Sequence, residues 1–161
     1  MKTIYVETSI VGYLTVRSVK DVMFQARQEL TLRWWQQRRQ EFIAYTSQLV
    51  LDEAGAGDPN AAAERLRALD GMPLLAASDD ADRLADILLT RHLLPAKAVI
   101  DAQHVALATI ADVDYLLTWN CKHIANATVL PAVYETLRAE GYTPPLIVTP
   151  QEFSNEGFPD V

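Results

Sequence analysis

The chain contains little cysteine and little histidine. Its 161 residues include one cysteine and three histidines. Cys121 alone cannot form an internal disulfide, and with His123 it falls short of the usual four ligands of a structural zinc site. The composition therefore excludes a scaffold held by disulfides or structural zinc, and it predicts a reducing, cytoplasmic setting.

Basic side chains are also scarce relative to acidic ones. Lysine and arginine number 14 against 21 aspartates and glutamates, which gives a formal charge of -7 and a pI near 4.9. Proteins that bind nucleic acid through a broad positive field cluster their lysines and arginines. Any contact with nucleic acid must therefore be local, or assisted by metal ions.

Long hydrophobic runs are absent. No stretch approaches the roughly 18 to 20 apolar residues of a membrane span. Glu7 interrupts the N-terminal "MKTIYVETSIVGYL" too early for a signal peptide. No internal repeat, low-complexity tract or linker occurs, and half of the residues are hydrophobic. We therefore expect a single globular domain over residues 1–161 with no membrane partner.

Short strand-like patterns alternate with longer helical ones along the chain. The strand-like runs are "TIYV" (3–6), "FIAYT" (42–46), "MPLLA" (72–76), "DYLLT" (114–118) and "PLIVT" (145–149). Helical periodicity includes a stripe of Met23, Ala26, Leu30 and Trp34 over about 21–40, and the apolar "AVIDAQHVALATIA" (98–111), predicted to be deeply buried. This alternation predicts a three-layer α/β/α fold around a mostly parallel sheet of about five strands.

Capping residues mark several predicted helix ends. The pair "TS" at 46 and 47 supplies an N-cap for a short helix after the second strand. Asp58 followed by Pro59 predicts the next helix start, and Gly71 lies just past its end. The acids of "DDAD" (79–82) complement the dipole of the following helix, which explains them without a catalytic role.

Four polar residues lie where a parallel sheet would bind a ligand. Ligands of such sheets bind beyond the carboxyl ends of the strands. Glu7 ends the first strand, Glu53 lies on the short helix after the second, and Asn120 follows "DYLLT". Asp101 interrupts the most apolar helix, where an unpaired charge would cost several kcal/mol. We therefore expect the four side chains to meet at one edge of the sheet.

A divalent cation is the simplest partner for such a group. Carboxylates packed together repel and raise one another's pKa unless a cation neutralises them. Mg²⁺ or Mn²⁺, which prefer oxygen ligands, suit phosphodiester cleavage because they activate water, orient the phosphate and stabilise the leaving oxygen. Such an ion would also let an acidic protein bind RNA phosphates.

Four motifs resemble those of the PIN-domain family, the fold of VapC-type toxins and related metal-dependent ribonucleases. They are "YVETSIVGYL", "SQLVLDEA", "AVIDAQHVALA" and "DYLLTWNCKHIAN". They span residues 1 to about 127, and the last predicted strand extends the match nearly to the C-terminus. The family carries a first-strand Asp-Thr-Ser, a Glu after the second strand, an Asp-Ala on a buried helix and an Asp after the fourth strand.

The resemblance implies which residues carry the chemistry and what they act on. Glu7, Glu53, Asp101 and Asn120 would be catalytic and would hold the metal, with Ser9 and Thr118 supporting the ligands or a water molecule. The implied activity is that of an Mg²⁺- or Mn²⁺-dependent endoribonuclease acting on RNA. The implied role is the toxin of a type II toxin-antitoxin pair, with a small antitoxin protein and a second copy of the chain as partners.

Two departures from the family pattern leave an alternative open. Glu7 replaces the usual aspartate and is one methylene longer, and Asn120 replaces the fourth acid. Three formal negative charges remain, so we expect one ion to bind alone and any second ion to arrive with the phosphate. The alternative is a catalytically weak or inactive PIN-fold module that binds RNA or protein. A phosphorylatable receiver-like domain fits less well, because "MPLLA" ends without an acceptor aspartate.

Several nearby polar residues have ordinary structural interpretations. Asp52 points roughly 100° away from Glu53 on a helix, so we expect only Glu53 to face the site. Asp112 and Asp114 precede a strand and are interpreted as parts of a solvated turn. His104 shares a helix face with Asp101, which allows an ion pair or a water relay, or simply a core histidine bonded to a neighbour.

Two further segments are left with more than one interpretation. Cys121 and His123 are placed in a polar loop at the edge of the site. The segment "RWWQQRRQ" (33–40) could stack on RNA or receive a partner's peptide. The more ordinary interpretation is one buried tryptophan, one partly exposed tryptophan and arginines that solvate the outer face.

Overall fold

A computed structural model of the chain describes residues 1–17 and 19–154. These residues form a five-stranded, all-parallel sheet with the strand order β3-β2-β1-β4-β5. The strands are β1 (Lys2–Val6), β2 (Phe42–Ser47), β3 (Leu74–Leu75), β4 (Tyr115–Leu117) and β5 (Leu146–Val148). Each predicted strand occurs at its predicted place, and the α/β fold class is confirmed.

Helices surround the sheet and complete the three layers. In the described ranges they are α1 (Thr8–Thr15), α2 (Val22–Arg33), α3 (Gln48–Ala54), α4 (Pro59–Leu69), α5 (Asp79–Thr90), α6 (Val99–Ile110) and α7 (Leu130–Ala139). The predicted caps are present, because Ser47 accepts a hydrogen bond from the Val50 amide and Asp58 accepts one from the Ala61 amide. Gly71 has a φ of +75°, a conformation that ends α4 at little cost for glycine.

Strand β1 is the centre of the sheet. Ile4 pairs with Ala44 of β2 on one side and with Tyr115 of β4 on the other. The side chains of Ile4, Tyr5 and Val6 are fully buried. Since all strands run in one direction, the residues that follow β1, β2 and β4 meet at the same edge of the sheet.

Asp114 fastens the opposite edge of the sheet. Its carboxylate accepts hydrogen bonds from the backbone amide and the hydroxyl of Thr3, and it pairs with Lys2 at 2.8 Å. These contacts with Lys2 and Thr3 lower the pKa of Asp114 to about 2. The predicted solvated turn therefore describes the exposed Asp112, whereas Asp114 joins β1 to the start of β4.

The helix predicted over about 21–40 changes its winding partway along. Its α-helical part, α2, ends at Arg33, a π-helical turn covers Trp34–Arg38, and a 3₁₀ turn covers Arg39–Glu41. Within the π turn, the Arg39 amide bonds the carbonyl of Trp34 five residues earlier. The predicted apolar stripe is buried only towards its end, since Trp34 is buried while Met23 is 66% exposed.

Several side chains of "RWWQQRRQ" make contacts within the chain. Trp34 is buried and Trp35 is partly exposed, as one interpretation of this segment expected. Arg38 pairs with Glu41 and also donates to the Phe153 carbonyl. Arg39 lies over the ring of Trp35, 4.6 Å from its centroid. These contacts favour a structural role for the segment.

The apolar helix α6 is buried except at its start. Residues 104–109 are all buried, whereas Val99 and Ile100 are 45% and 43% exposed. The prediction of deep burial therefore fails for the first turn of the helix, which carries Asp101 beside these exposed residues. Among the described residues, no helix combines the length and hydrophobicity that crossing a membrane requires.

Candidate metal centre

Two glutamates meet a histidine at the carboxyl edge of the sheet. Glu7 occupies the N-cap position between β1 and α1, Glu53 lies near the end of α3, and His104 lies on α6. Potential ligand atoms of the three side chains lie within 4.8 Å of one another. Glu7 and Glu53 are two of the four residues that the sequence predicted to converge.

One oxygen of Glu7 is fixed by the protein and the other is left open. Oε2 accepts hydrogen bonds from the Ser9 hydroxyl at 2.5 Å and from the Thr118 hydroxyl at 2.7 Å. Within residues 1–17 and 19–154, Oε1 accepts no hydrogen bond and lies 3.9 Å from Nε2 of His104. The Glu7 side chain is only 6% exposed, so its open oxygen faces the cluster instead of bulk water.

Glu53 repeats the same arrangement. Its Oε1 accepts a hydrogen bond from the Thr8 hydroxyl at 2.7 Å and lies 2.6 Å from Nε2 of His104. Its Oε2 accepts none from the described part of the chain. Burial works to raise the pKa of Glu53, but the hydrogen bonds from His104 and Thr8 outweigh it, so that pKa lies below its ordinary value. Glu53 is therefore ionised at neutral pH.

A buried chain of polar groups lies behind His104. The histidine is fully buried, and its Nδ1 lies 2.8 Å from the Tyr5 hydroxyl. That hydroxyl lies 2.7 Å from the Ser47 hydroxyl, which also caps α3. Burial raises the pKa of Tyr5 above its usual range, so Tyr5 remains a neutral phenol. His104 is thus a core histidine bonded to its neighbours, one of the roles considered from the sequence.

Asp101 and Asn120 lie around a neighbouring turn. The Asp101 carboxylate lies 2.8 Å from Nδ1 of His123, and the Asn120 side-chain oxygen accepts a hydrogen bond from the His123 amide. The Asn120 amide in turn donates to the hydroxyl of Thr118, which holds Glu7. Asn120 is therefore connected to Glu7 through the Thr118 hydroxyl, whereas Asp101 pairs with His123 and is not a member of the three-residue cluster.

Ser9 and Thr118 bond Glu7 directly, whereas Asp52, the acid next to Glu53, is turned towards solvent. Ser9 and Thr118, predicted to support ligands or a water molecule, both donate to the same oxygen of Glu7. Asp52 is exposed and accepts a hydrogen bond from Gln48, so it is Glu53 that faces the cluster. The exposure of Asp52 agrees with the choice of Glu53 made from helix geometry.

The donor set fits a hard divalent cation. Two carboxylates approach one another, and among the described residues neither pairs with a lysine or an arginine. Each is held through one oxygen by neutral or imidazole donors, and its other oxygen accepts no hydrogen bond from the described residues. A cation placed between the open oxygens would relieve the repulsion that the two charges otherwise exert on each other.

Sequence reasoning did not single out Tyr5 or Thr8. The strand pattern "TIYV" indicates only an apolar strand residue at Tyr5, although Tyr5 precedes Glu7 by two positions. Side chains two apart along a strand share a face, so this spacing was an available signal. Thr8 adjoins Glu7 in the quoted motif, but its partner Glu53 lies 45 residues away and only the fold reveals the contact.

Comparison of the chain with protein-family models, with curated proteins and with solved structures gives no significant match. The resemblance to the PIN-domain family therefore rests on the four sequence motifs alone.

Proposed function

We propose that this protein is a PIN-like, metal-dependent endoribonuclease that hydrolyses RNA phosphodiester bonds. One observation carries the proposal: Glu7 and Glu53 bring carboxylate oxygens within 4.8 Å of each other at the carboxyl edge of a parallel sheet. That edge is where ligands bind in such sheets. The choice of RNA as the substrate rests on the resemblance of the four motifs to the PIN-domain family.

The residues of the site have separate roles in this proposal. Glu7 and Glu53 hold Mg²⁺ or Mn²⁺, which when bound activates water and neutralises charge on the phosphate. Ser9 and Thr118 fix the orientation of Glu7 through its Oε2. Asp101 and Asn120 bound the site on the side of His123, where they help to hold the ion or a water molecule once RNA is present.

The charge of the protein explains why an ion is needed for substrate binding. The chain carries a formal charge of -7, which repels a polyanion at long range. An ion at the two glutamates creates a local positive site for a phosphate. The same resemblance supports the biological role of a cytoplasmic toxin, with a small antitoxin protein and a homodimer as its assemblies.

RNA cleavage by a Glu53→Gln variant tests the proposal. The substitution keeps the size of the side chain and removes the charge that would hold the ion, so we expect at least about a 100-fold loss of Mg²⁺- or Mn²⁺-dependent cleavage. Glu135→Gln on α7 is the matched control, because Glu135 is exposed and the charge change is the same. Cleavage that survives Glu53→Gln, or that continues in EDTA, would refute the proposal.

A second candidate is a PIN-fold module that binds RNA or protein with little or no catalysis. The contact of Asp101 with His123 favours it, because only two of the three predicted carboxylates, Glu7 and Glu53, belong to the cluster. Fewer carboxylates bind a cation more weakly. Binding of several RNAs by the wild-type protein without cleavage, in saturating Mn²⁺, would favour this function over the first.

A further inference from the structure

The contacts of Glu53 define the part that His104 takes in the cluster. Oε1 of Glu53 lies 2.6 Å from Nε2 of His104, which is hydrogen-bonding distance. A carboxylate at neutral pH has no proton to donate, so the shared hydrogen belongs to the imidazole. A nitrogen that carries a hydrogen has no lone pair to offer a metal ion, so in this arrangement Nε2 of His104 is not a ligand.

The imidazole is also fixed from its other side. Nδ1 of His104 lies 2.8 Å from the Tyr5 hydroxyl, and Tyr5 is held by Ser47 at 2.7 Å. His104 and Tyr5 are both fully buried. A ring with both nitrogens bonded and no exposed surface cannot turn without breaking at least one buried hydrogen bond. Its orientation towards Glu53 is therefore set by the fold.

The two glutamates are held in the same way by different donors. Two hydroxyls fix Oε2 of Glu7, and the Thr8 hydroxyl with the His104 imidazole fixes Oε1 of Glu53. In each case one oxygen is occupied by the protein and the other is open. His104 thus has the same role towards Glu53 as the Ser9 and Thr118 hydroxyls have towards Glu7, and it is not a third ligand.

We propose that His104, backed by Tyr5 and Ser47, is a positioning residue that holds Glu53 so that the metal centre has oxygen ligands only. The inference rests on the proposed function, since it presupposes an ion at Glu7 and Glu53. An all-oxygen set selects hard ions such as Mg²⁺ and Mn²⁺, whereas a ligating imidazole would favour Zn²⁺ and other nitrogen-preferring metals. His104, Tyr5 and Ser47 therefore determine which metal binds, although none of them contacts the metal.

Mn²⁺ binding to His104 variants tests this role without reference to RNA cleavage. The glutamine of His104→Gln places an N–H donor near the position of Nε2. We therefore expect this variant to retain its Mn²⁺ affinity within about threefold, whereas loss of a hydrogen-bond partner of a ligand typically lowers metal affinity by about 10- to 100-fold. His104→Leu removes the donor and should weaken binding by about 10- to 100-fold. The free Mn²⁺ signal in electron paramagnetic resonance measures both affinities.

Tyr5→Phe tests the buried hydrogen bonds on the other side of His104 and leaves no cavity in the core. It removes only the hydroxyl that holds Nδ1 of His104, and we expect about a 10-fold weaker affinity for Mn²⁺. Tyr134→Phe is the matched control, because its hydroxyl bonds the Ile147 amide and has no contact with the cluster. If His104→Leu fails to fold, the comparison of these two tyrosine variants still decides.

Electron spin-echo envelope modulation of bound Mn²⁺ distinguishes the two possible roles of the His104 imidazole, metal ligand or positioning residue. The wild-type protein should show no coupling to a directly bound ¹⁴N nucleus. Such coupling, or a His104→Gln variant as weak as His104→Leu, would overturn the positioning role and leave the metal-dependent function intact. Equal affinities in all variants would do the same. A wild-type protein that binds no Mn²⁺ would overturn the proposed function together with this inference.

Discussion

A single aspartate, Asp114, couples the stability of the sheet to acid pH. Its pKa is lowered to about 2 by Lys2 and Thr3, below its ordinary value of 3.8. Between these values the unfolded chain binds a proton that the folded chain does not. The contribution of Asp114 to the free energy of unfolding is therefore fully present above about pH 4 and is lost as the pH falls towards 2.

Asp114→Asn should flatten this part of the pH profile. We expect the variant to be less stable than wild type at pH 5 and to lose less of its stability between pH 4 and pH 2, as measured by urea unfolding at each pH. Asp112→Asn is the control, because Asp112 is exposed and its φ of +52° suits asparagine as well. Parallel profiles for wild type and Asp114→Asn would contradict the prediction.

At the residue scale, sequence identified the two glutamates but not the partners that orient them. Glu7 and Glu53 could be found because each follows a strand, and strand ends of a parallel sheet meet. The contact between Asp101 and His123 could not be found in this way, because a turn closed by Asn120 brings residues 22 positions apart together. Such turns depend on backbone conformation that hydrophobic periodicity does not report.

Among the elements, α2 is tied to the segment that follows β4 by one buried hydrogen bond. The indole N–H of Trp119 donates to the hydroxyl of Thr31 at 2.7 Å, and Thr31 is fully buried. The Trp119 amide donates to Ser9, which holds Glu7. The position of α2 is therefore connected to the candidate metal centre.

Thr31→Val should destabilise the protein through this contact. The substitution keeps the shape of the side chain but leaves a buried indole N–H without an acceptor, which costs about 1–3 kcal/mol. Thr109→Val is the matched control, since Thr109 is also buried but bonds only the carbonyl of Val105 in its own helix. Chemical unfolding measures both. A Thr31→Val variant no less stable than Thr109→Val would show that the indole contact contributes nothing.

The elements themselves were largely predictable, and the exception has a local cause. Alternating short and long patterns placed all five strands and most helices. The π-helical turn at Trp34–Arg38 was not foreseen, because one wide turn leaves the average helical period almost unchanged. The stripe through Met23 has the period of a buried face, but periodicity does not report whether another element covers that face, and Met23 is 66% exposed.

For the whole molecule, the charge of -7 predicts an unusual dependence of RNA binding on ions. We expect RNA binding to require a divalent ion and to show a shallow salt dependence, with a slope of log K against log salt of about -1 to -2, because few phosphates are neutralised. Fluorescence anisotropy with Ca²⁺ in place of Mg²⁺ measures binding over a range of salt concentrations. A slope steeper than about -4, or unchanged binding in EDTA, would contradict the prediction.

A variant of the arginine segment serves as the control for this measurement. Arg38 and Arg39 are engaged by Glu41, Phe153 and Trp35 within the chain. Replacing both arginines with glutamine should leave the slope unchanged. A shallower slope in the double variant would show that the segment contacts RNA after all.

The central position of β1 bears on when the two glutamates come together. Glu7 and Glu53 are 46 positions apart along the chain, and His104 is 51 positions beyond Glu53. The pairing of β1 with β2 brings the two glutamates to one edge of the sheet. We expect contacts between such distant segments to form late in folding. An ion bound at the proposed centre would then slow unfolding and leave the rate of folding almost unchanged.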